Sequence, residues 1–300
     1  MSIMIGQISY LPNNELRTKR FEAARTQIEW LHKVLPNVKI TSVLQNYADA
    51  ERDLIKSDNI IGFSNPIGAG KARNLILEKF YNSDYDWLFL CDDDTIAYPH
   101  YEYENFFEEM SNNMGKFKQL DAISAIEPEY HPYKKLNYED KGNLTHFKFE
   151  PRELNSGSAT SFIRNIKKYY DMELYYPNTD ANKGEGREDI EFLLNWLLSG
   201  LNWYNMDTWI RKSLCFDQSS IFGKDTKARD KLLMHDLDMV CDKYKEYGLY
   251  RDNNGRINWS NFNKNFNKTE KVLYIEREKE IEFTASVIPK PKKDNSKNLF

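Results

Sequence analysis

The chain has 300 residues, of which 40% are hydrophobic and 29% are charged, a composition typical of globular proteins. No apolar run approaches the ~20 residues that a membrane span requires, and the first residues lack the pattern of a secretory signal. The three cysteines are scattered and form no CxxC pair, which argues against a disulfide framework or a zinc site. These features predict a cytoplasmic protein without a membrane anchor.

Charge is distributed unevenly along the chain. Residues 1–209 contain 23 Lys and Arg against 32 Asp and Glu, a net charge of −9, whereas residues 210–300 contain 19 against 14, a net charge of +5. A basic C-terminal third beside an acidic body indicates an anionic partner. An ordinary solvated surface would give the same counts, so charge alone does not choose between the two.

Segments with the patterns of strands and helices alternate through the first two thirds of the chain. The predicted strands are SIMIGQISY, VKITSVLQNY, NIIGF, DYDWLFLCDDD, DAISAIEP and the second half of NSGSATSFIRN. The predicted helices are Thr18–Leu35, a short acidic helix after the second strand, Ala72–Phe80 and Glu188–Ser199. This alternation predicts an α/β domain with a mostly parallel sheet flanked by helices, in which ligands bind beyond the carboxyl ends of the strands.

The character of the sequence changes after residue 215. Residues Asp225–Tyr247 have the pattern of a charged helix, and an Asn-rich aromatic stretch, RINWSNFNKNFNK, follows. The last residues, PKPKKDNSKNLF, have the composition of a disordered tail. We therefore expect a first domain over residues 1–215, a mainly helical C-terminal appendage over 216–286 and a tail over 287–300.

The stretch GFSNPIGAGKARN has the clustered glycines and the lysine of a phosphate loop. A Walker loop is excluded, because Ala72 follows Lys71 where a Ser or Thr must bind magnesium, and Asn65 replaces the first glycine. The dinucleotide fingerprint fails at its third glycine, which is Arg73. Two interpretations remain: a flexible turn with exposed cations, or a helix start whose free N–H groups and first-turn Lys71, Arg73 and Asn74 suit an anion.

Three consecutive carboxylates, Asp92, Asp93 and Asp94, end the apolar segment DYDWLFLCDDD. Such a cluster at the end of a buried strand is costly unless a cation lies beside it. Because side chains alternate along a strand, Asp92 and Asp94 are expected on one face, where two hard oxygen ligands suit Mg²⁺ or Mn²⁺. A solvated acidic turn is the alternative.

Together these two motifs, a glycine-containing turn leading into ARN and a buried strand ending in aspartates, resemble the GT-A (Rossmann-like) nucleotide-sugar glycosyltransferases. The resemblance covers roughly residues 1–215 and implies a UDP-sugar donor with Mn²⁺ or Mg²⁺ as cofactor. It implies that Asp94 is a metal ligand, that Asp92 contacts the metal or the nucleoside, and that Asp93 contacts the ribose or the sugar.

The segment GREDIEFLLNWLLSGL has one apolar stripe and begins with two acids, Glu188 and Asp189. Acids are favoured at helix N-termini by the dipole, which is a sufficient structural explanation for the pair taken alone. The segment also resembles the ED helix of inverting, family-2-type enzymes. That resemblance implies that Asp189 is the general base for the acceptor hydroxyl, and that Glu188 is an acceptor-binding helper or the alternative base.

The same resemblance implies further contacts, and the sequence departs from it in one region. They are Lys71, Arg73 and Asn74 for the nucleotide and Ser9, Tyr10 and Leu11 for its base. Many relatives carry a metal-ligating histidine after the ED helix, but here the region reads DTWIRKSLCF. Either the metal is ligated differently, or Arg211 and Lys212 hold the diphosphate; the nearest histidine along the chain is His235.

The acceptor is not identified by these motifs. The stretch RINWSNFNKNFNK interleaves aromatic and basic residues as nucleic-acid surfaces do, so Trp259, Arg256 and Lys264 are acceptor candidates, although packing of the aromatic residues on the core explains them equally well. NSGSATSFIRN also resembles the family's small-residue strand before the ED helix, and this resemblance implies that Gly157 lets the donor sugar approach. The Asn-, Lys- and Tyr-rich composition resembles proteins of T-even-like phages. It implies transfer from UDP-arabinose or another UDP-sugar to 5-hydroxymethylcytosine of phage DNA, in the host cytoplasm.

Three alternatives remain open at the level of sequence. The same enzyme could act on a glycan or polysaccharide, or the chain could be a sugar-phosphate nucleotidyltransferase, which also combines an α/β sheet with carboxylate-bound Mg²⁺. The third alternative is a nucleic-acid-binding protein without catalytic activity. Neither the sugar nor the oligomeric state is indicated.

Overall fold

A computed structural model of the chain describes residues 2–99, 112–126, 146–151, 160–178, 187–213, 226–253, 255–266 and 271–276. Its strands are β1 (Ile3–Tyr10), β2 (Ile40–Gln45), β3 (Asn59–Phe63), β4 (Trp87–Asp92), β5 (Thr95–Pro99), β6 (Ala122–Ile126), β7 (His146–Pro151), β8 (Ser161–Arg164), β9 (Tyr204–Ser213), β10 (Tyr250–Arg251), β11 (Ile257–Asn258) and β12 (Leu273–Glu276). Its helices are α1 (Arg17–Val34), α2 (Asp49–Leu54), α3 (Ala69–Tyr81), α4 (Ile166–Tyr170), α5 (Glu188–Leu198), α6 (Thr226–Lys243) and α7 (Ser260–Phe266). Within these ranges no helix is long and apolar enough to cross a membrane.

Ten strands form one mixed sheet in the described part of the chain. Its order is β12-β7-β9-β6-β8-β4-β1-β2-β3, and β5 pairs with β9 beside this path. The strands β3, β2, β1 and β4 are parallel neighbours, as expected for strands connected through helices. Beyond β4 the sheet is mixed, because β8 runs antiparallel to both β4 and β6, whereas β6 and β9 are parallel.

Both faces of the sheet are covered by helices. Side chains alternate along β1, so its residues divide between two hydrophobic clusters. Ile3 and Ile5 belong to the cluster that contains the apolar stripe of α1, whereas Met4 and Ile8 belong to the cluster that contains the stripes of α3 and α5. The predicted α/β architecture, a sheet flanked by helices, is therefore confirmed.

The predicted elements of the first two thirds of the chain are found with small shifts at their ends. The helix α3 begins at Ala69, three residues earlier than predicted, so Lys71 lies in its first turn and Arg73 and Asn74 in its second. The strands β5, β7 and β9 were not predicted, because their segments mix polar and charged residues with apolar ones. These strands supply most of the antiparallel pairing in the sheet.

The turn that starts α3 is built around glycines and Gln45. Gly68 has φ 90°, a conformation that side chains disfavour, and Gln45 Oε1 accepts hydrogen bonds from the backbone N–H groups of Ile67 at 2.8 Å and Gly68 at 3.1 Å. These two N–H groups are thus used inside the protein and are not free for an anion. A Cβ on Gly70 would stand 2.8 Å from the carbonyl oxygen of Pro177, so glycine permits a close approach there.

The C-terminal region shares both the core and the sheet of the preceding residues. Val240 of α6, Tyr244 just after that helix and Phe262 of α7 are buried in the cluster that contains α5, and Trp259 and Phe266 pack against it. The strand β12 pairs antiparallel with β7 and so extends the main sheet. The predicted, mainly helical region is present as α6 and α7, and it is packed on the body of the fold.

Gly70→Ala tests the close approach at the start of α3. We expect the free energy of unfolding to fall by about 1–3 kcal/mol, because the backbone oxygen of Pro177 must move to admit the new methyl group. Gly115→Ala is the control, since a Cβ there meets nothing within 4 Å, and its effect should stay within about 0.5 kcal/mol. Chemical denaturation measures the free energy of unfolding of both variants. Equal values would contradict the close approach of Gly70 to the Pro177 carbonyl oxygen.

Candidate active site

The acidic turn, defined as Asp92, Asp93 and Asp94, follows β4 at the carboxyl end of a buried strand. The strand ends at Asp92 and the next two residues turn into β5, so the alternation expected between Asp92 and Asp94 stops there. Ser9, near the end of β1, donates to Asp93 Oδ2 at 2.5 Å. Arg20 of α1 pairs with Asp93, which is 1% exposed, and its Nη1 lies 3.0 Å from Asp94 Oδ2.

Arg73 of α3 connects the acidic turn to the acid pair, defined as Glu188 and Asp189, at the N-terminus of α5. Its Nη2 lies 3.0 Å from Asp92 Oδ1, and its Nη1 lies 2.7 Å from Asp189 Oδ1 and 3.2 Å from Glu188 Oε1. Arg73 is 3% exposed, so its guanidinium group lies away from bulk water, whereas the side chains of Asp92 and Asp189 are partly exposed. The elements β4, α3 and α5 therefore converge on one buried guanidinium group.

The site carries an excess of negative charge. Among the side chains that the structure describes here, the acidic turn and the acid pair supply five carboxylates, and Arg20 and Arg73 supply two guanidinium groups, a formal charge of −3 when all are ionised. Burial raises the pKa of Asp93 to about 7, although Arg20 opposes this. Burial and the neighbouring Asp189 raise the pKa of Glu188 to about 7, against the effect of Arg73. A bound cation would relieve this repulsion.

The backbone of the acidic turn is fixed by Gln27, a fully buried residue of α1. Its Nε2 donates to the carbonyl oxygens of Asp92 and Thr95, which lie on either side of the turn. Its Oε1 accepts from Gln7 Nε2 at 2.5 Å, and the Ser42 hydroxyl donates to Gln7 Oε1 at 2.8 Å. This buried chain of hydrogen bonds rigidifies the backbone that carries the carboxylates.

Tyr176 covers the other side of Arg73. Its ring stacks on Phe192 of α5 with centroids 4.0 Å apart, and the Arg73 guanidinium carbon lies 5.1 Å from the Tyr176 centroid. The Asn74 carboxamide holds this residue in place, because it accepts from Tyr176 N at 2.7 Å and donates to Tyr176 O at 2.9 Å. Contact between Asn74 and a nucleotide stays a prediction, and it would require this carboxamide to exchange partners.

The three predicted nucleotide contacts on α3 divide between two faces of the helix. Arg73 faces the acids, whereas Lys71 is exposed and lines a shallow groove together with Asn74 and Glu78. Residues three, four and seven apart share a helix face, which explains the division. Tyr10 lies half-buried at the end of β1. The nucleotide contacts of Lys71 and Tyr10 stay predictions.

The backbone of β9 runs beside the strand that leaves the acidic turn. Thr95, the first residue of β5, is paired with Ser213, and the next two residues of β5 are paired with Lys212 and Arg211. The side chains of Arg211 and Lys212 lie outside the described atoms. The register brings their backbone next to the acidic turn, and their contact with a diphosphate stays a prediction.

The predicted acceptor residues that the structure describes differ in how exposed their side chains are. Trp259 is half-buried and meets Phe262 edge-on with centroids 6.4 Å apart, which agrees with packing. Arg256 and Lys264 are exposed, and Gly157 lies outside the described residues. A role for these four residues in acceptor binding stays a prediction.

Sequence reasoning missed two residues that organise the site, Arg20 and Gln27. Gln27 carried a usable signal, because it interrupts the apolar stripe of α1 between Ala24 and Ile28, and a polar residue on a buried face must find partners. Arg20 carried none, since it is one of several cations in the polar run RTKR at the start of α1. Only the packing of α1 against the end of β4 pairs it with the aspartates.

The donor chemistry of the site fits a divalent cation. Asp92 and Asp94 offer hard carboxylate oxygens, and Glu188 Oε2 is buried and has no hydrogen-bond partner among the described residues. Across the described ranges no group of three or more His, Cys, Asp or Glu side chains is arranged to hold a metal, and His235 is exposed on α6. A cation on Asp92 and Asp94 would take its other ligands from water and phosphate, as Mg²⁺ commonly does.

Comparison with known proteins gives matches among solved structures alone, since no family model and no curated protein matches the chain. A nucleotide-diphospho-sugar transferase from Desulfovibrio desulfuricans G20 is 10% identical over 79% of this chain and 99% of its own, with a TM-score of 0.42. Glucosyl-3-phosphoglycerate synthase from Mycobacterium tuberculosis, with Mn²⁺, UDP-glucose and phosphoglyceric acid, is 10% identical over 79% of each chain, with a TM-score of 0.45. CMP:2-keto-3-deoxy-manno-octonic acid synthetase with CTP is 9% identical over 78% of this chain and 99% of its own, with a TM-score of 0.42. Similarities this distant do not assign a donor or an acceptor to this chain.

Glu188→Gln tests the electrostatics of the site through the pH dependence of stability. The ordinary pKa of 4.5 rises to about 7 on folding, so between these values the folded chain binds the additional proton and the wild type loses stability as the pH rises. The variant does not titrate there, so its stability relative to wild type should increase by on the order of 1–3 kcal/mol from pH 5 to pH 8. Thermal and urea unfolding in metal-free buffer measure this, and a difference that does not change with pH would contradict it.

Proposed function

We propose that this chain is a metal-dependent, inverting glycosyltransferase that moves a sugar from a UDP-sugar to an acceptor hydroxyl. The observation that carries the proposal is the meeting of the acidic turn and the acid pair at Arg73, with all three ion pairs within 3.2 Å. A cation held by Asp92 and Asp94 would act as a Lewis acid on the leaving diphosphate. A carboxylate of the acid pair would accept the proton of the attacking hydroxyl, and attack from the opposite face would invert the anomeric carbon.

Within the acid pair, exposure favours Asp189 as the general base. The Asp189 side chain is 21% exposed, so an acceptor hydroxyl has a path to it, whereas the Glu188 side chain is 10% exposed. The raised pKa of Glu188, about 7 through burial, suits a proton acceptor at neutral pH and keeps it as the alternative base. The ion pair with Arg73 orients Asp189, whether Asp189 or Glu188 is the base.

For the acceptor, we propose 5-hydroxymethylcytosine in DNA as the first substrate to test, with a UDP-pentose or UDP-hexose as donor. Support comes from the net charge of +5 on residues 210–300 and from the exposed Arg256 and Lys264 in that region. Packing of Trp259, Phe262 and Phe266 on one another accounts for the aromatic residues of this region. The acceptor proposal therefore rests on charge and on the resemblance in composition.

A donor and acceptor screen tests the proposal. The protein is incubated with Mn²⁺, DNA containing 5-hydroxymethylcytosine and a panel of UDP-sugars that includes UDP-arabinose, and the nucleosides are analysed by mass spectrometry. We expect covalent addition of one pentose or hexose to the modified base. If no donor gives an addition, DNA is not the acceptor. If UDP is released only when a glycan is present, the acceptor is a glycan. Pyrophosphate release from a sugar phosphate and a nucleoside triphosphate would instead indicate a nucleotidyltransferase.

Two substitutions separate donor binding from proton transfer. Asp94→Asn should abolish nearly all transfer and weaken Mn²⁺-dependent UDP binding, because it removes a metal ligand. Asp189→Asn should reduce transfer by about 10²–10⁴-fold with UDP binding retained, because it removes the base. Steady-state kinetics and calorimetry with UDP and Mn²⁺ measure the two effects.

A matched control is Asp49→Asn on α2, where the side chain is 96% exposed and no change is expected. If Asp189→Asn also loses UDP binding, its role is not that of a base. If transfer survives in Asp189→Asn and is lost in Glu188→Gln, the base is Glu188.

A further inference from the structure

A second charged cluster lies immediately beside the acid pair and joins α5 to α6. Arg187 directly precedes α5, and its side chain is 12% exposed. Its Nε donates to Glu191 Oε1 at 2.7 Å, while its Nη1 lies 3.0 Å from Met239 Sδ and 3.7 Å from Asp236 Oδ1. Met239 and Asp236 both belong to α6, so Arg187 contacts both helices with one guanidinium group.

The contact between the two helices continues along α5. Glu191 is 1% exposed, and its second carboxylate oxygen pairs with Lys243 near the end of α6. One turn further on, the Tyr244 hydroxyl donates to Asn195 Oδ1 at 2.8 Å. Among the described side chains of this cluster, Arg187 and Lys243 balance the carboxylates of Glu191 and Asp236. Three of its four side chains are largely buried, whereas Lys243 is 53% exposed, and a largely buried ion-pair network is suited to holding one geometry.

A backbone hydrogen bond connects Arg187 to the helical turn that carries the acid pair. The amide of Glu191 donates to the carbonyl oxygen of Arg187 at 3.0 Å, and this hydrogen bond closes the first turn of α5 around Glu188 and Asp189. The pair is held by Arg73 of α3 on one side. On the other side, Arg187, which accepts the first-turn hydrogen bond of α5, contacts α6.

We propose that Arg187 is a positioning residue for the acid pair, and that through it α6 sets where the pair stands relative to the acidic turn. This inference rests on the proposed function, since it makes the C-terminal region part of the arrangement that brings the base to the acceptor. It differs from an acceptor-binding role, because α6 then acts without touching a substrate. The clamp, defined as the contacts of Arg187 with Glu191, Asp236 and Met239, is sensitive to single substitutions, because removing one partner of a buried ion pair leaves an uncompensated charge.

The test compares four variants of the full chain. Arg187→Met removes the clamp, and Arg187→Lys keeps the charge but cannot reach both helices with one planar group. Asp236→Asn is a milder change on α6 in case Arg187→Met fails to fold. Asp238→Asn is the matched control, because that side chain is 62% exposed on the same helix and pairs with Arg251 instead of α5.

Three measurements are made on each variant: hydrogen–deuterium exchange of the peptide spanning residues 188–198, the dissociation constant of UDP with Mn²⁺, and kcat for transfer. Arg187→Met and Asp236→Asn should speed exchange in that peptide about tenfold or more, because the first turn opens more often. The UDP dissociation constant should stay within about twofold, while kcat falls about ten- to a hundredfold from misplacement of the base. Arg187→Lys should fall between these variants and the wild type, and Asp238→Asn should match the wild type.

Two results would overturn the inference. Unchanged exchange of residues 188–198 in both clamp variants would show that α6 does not hold the acid pair. Faster exchange with unchanged kcat would show that the hold does not matter for transfer. If the wild type binds UDP and transfers nothing to any acceptor, the proposed function fails instead, and the exchange measurement alone decides whether Arg187 fixes the pair.

Discussion

The structure depends on one buried guanidinium group with more negative charge around it than it can neutralise. Arg73 is almost fully buried and pairs with Asp92, Asp189 and Glu188. Removing such a group from water is costly, and the cost is recovered only when its donors meet carboxylates in good geometry. Because these carboxylates come from β4 and α5, the pairing also fixes how a strand end and a helix start face each other.

Among the described side chains of this arrangement, carboxylates outnumber cations. A structural ion-pair network tends toward balance, as the described side chains of the cluster between α5 and α6 show. The acidic turn and the acid pair instead hold two carboxyl groups whose pKa values rise to about 7. Perturbed groups of this kind concentrate at functional sites, where a ligand completes the charge balance.

Local pattern predicted the elements that carry the site, and tertiary contact determined how its parts meet. The apolar run before Asp92 and the amphipathic stripe after Asp189 each stand out in the sequence, so β4 and α5 were predictable. The joining of these elements by Arg73 was not, because the helical pattern separates Arg73 from Lys71 but does not show which carboxylates Arg73 meets. Helical geometry separates the two, since position 73 falls on the buried stripe of α3 and position 71 on its exposed face.

The same limit applies to the neighbours of the acidic turn. The alternation that predicted Asp92 and Asp94 on one face holds for an extended strand, and the chain leaves that conformation after Asp92. Arg20 therefore forms ion pairs with both Asp93 and Asp94, while Arg73 forms one with Asp92. A turn that begins two residues earlier than expected is enough to redistribute the partners of three consecutive carboxylates.

The pairing of β12 with β7 has a consequence for how this protein is made. The strand β12 comes last among the described strands, yet it covers the edge of β7, whose Phe147 and Phe149 are in the central core. During synthesis, that edge stays unpaired until residues near 276 have left the ribosome, at about 5–20 residues per second. An open strand edge is a template for pairing with other chains. Nascent chains and chains cut short before β12 should therefore depend on chaperones more than the full chain does, because only the full chain covers the edge of β7.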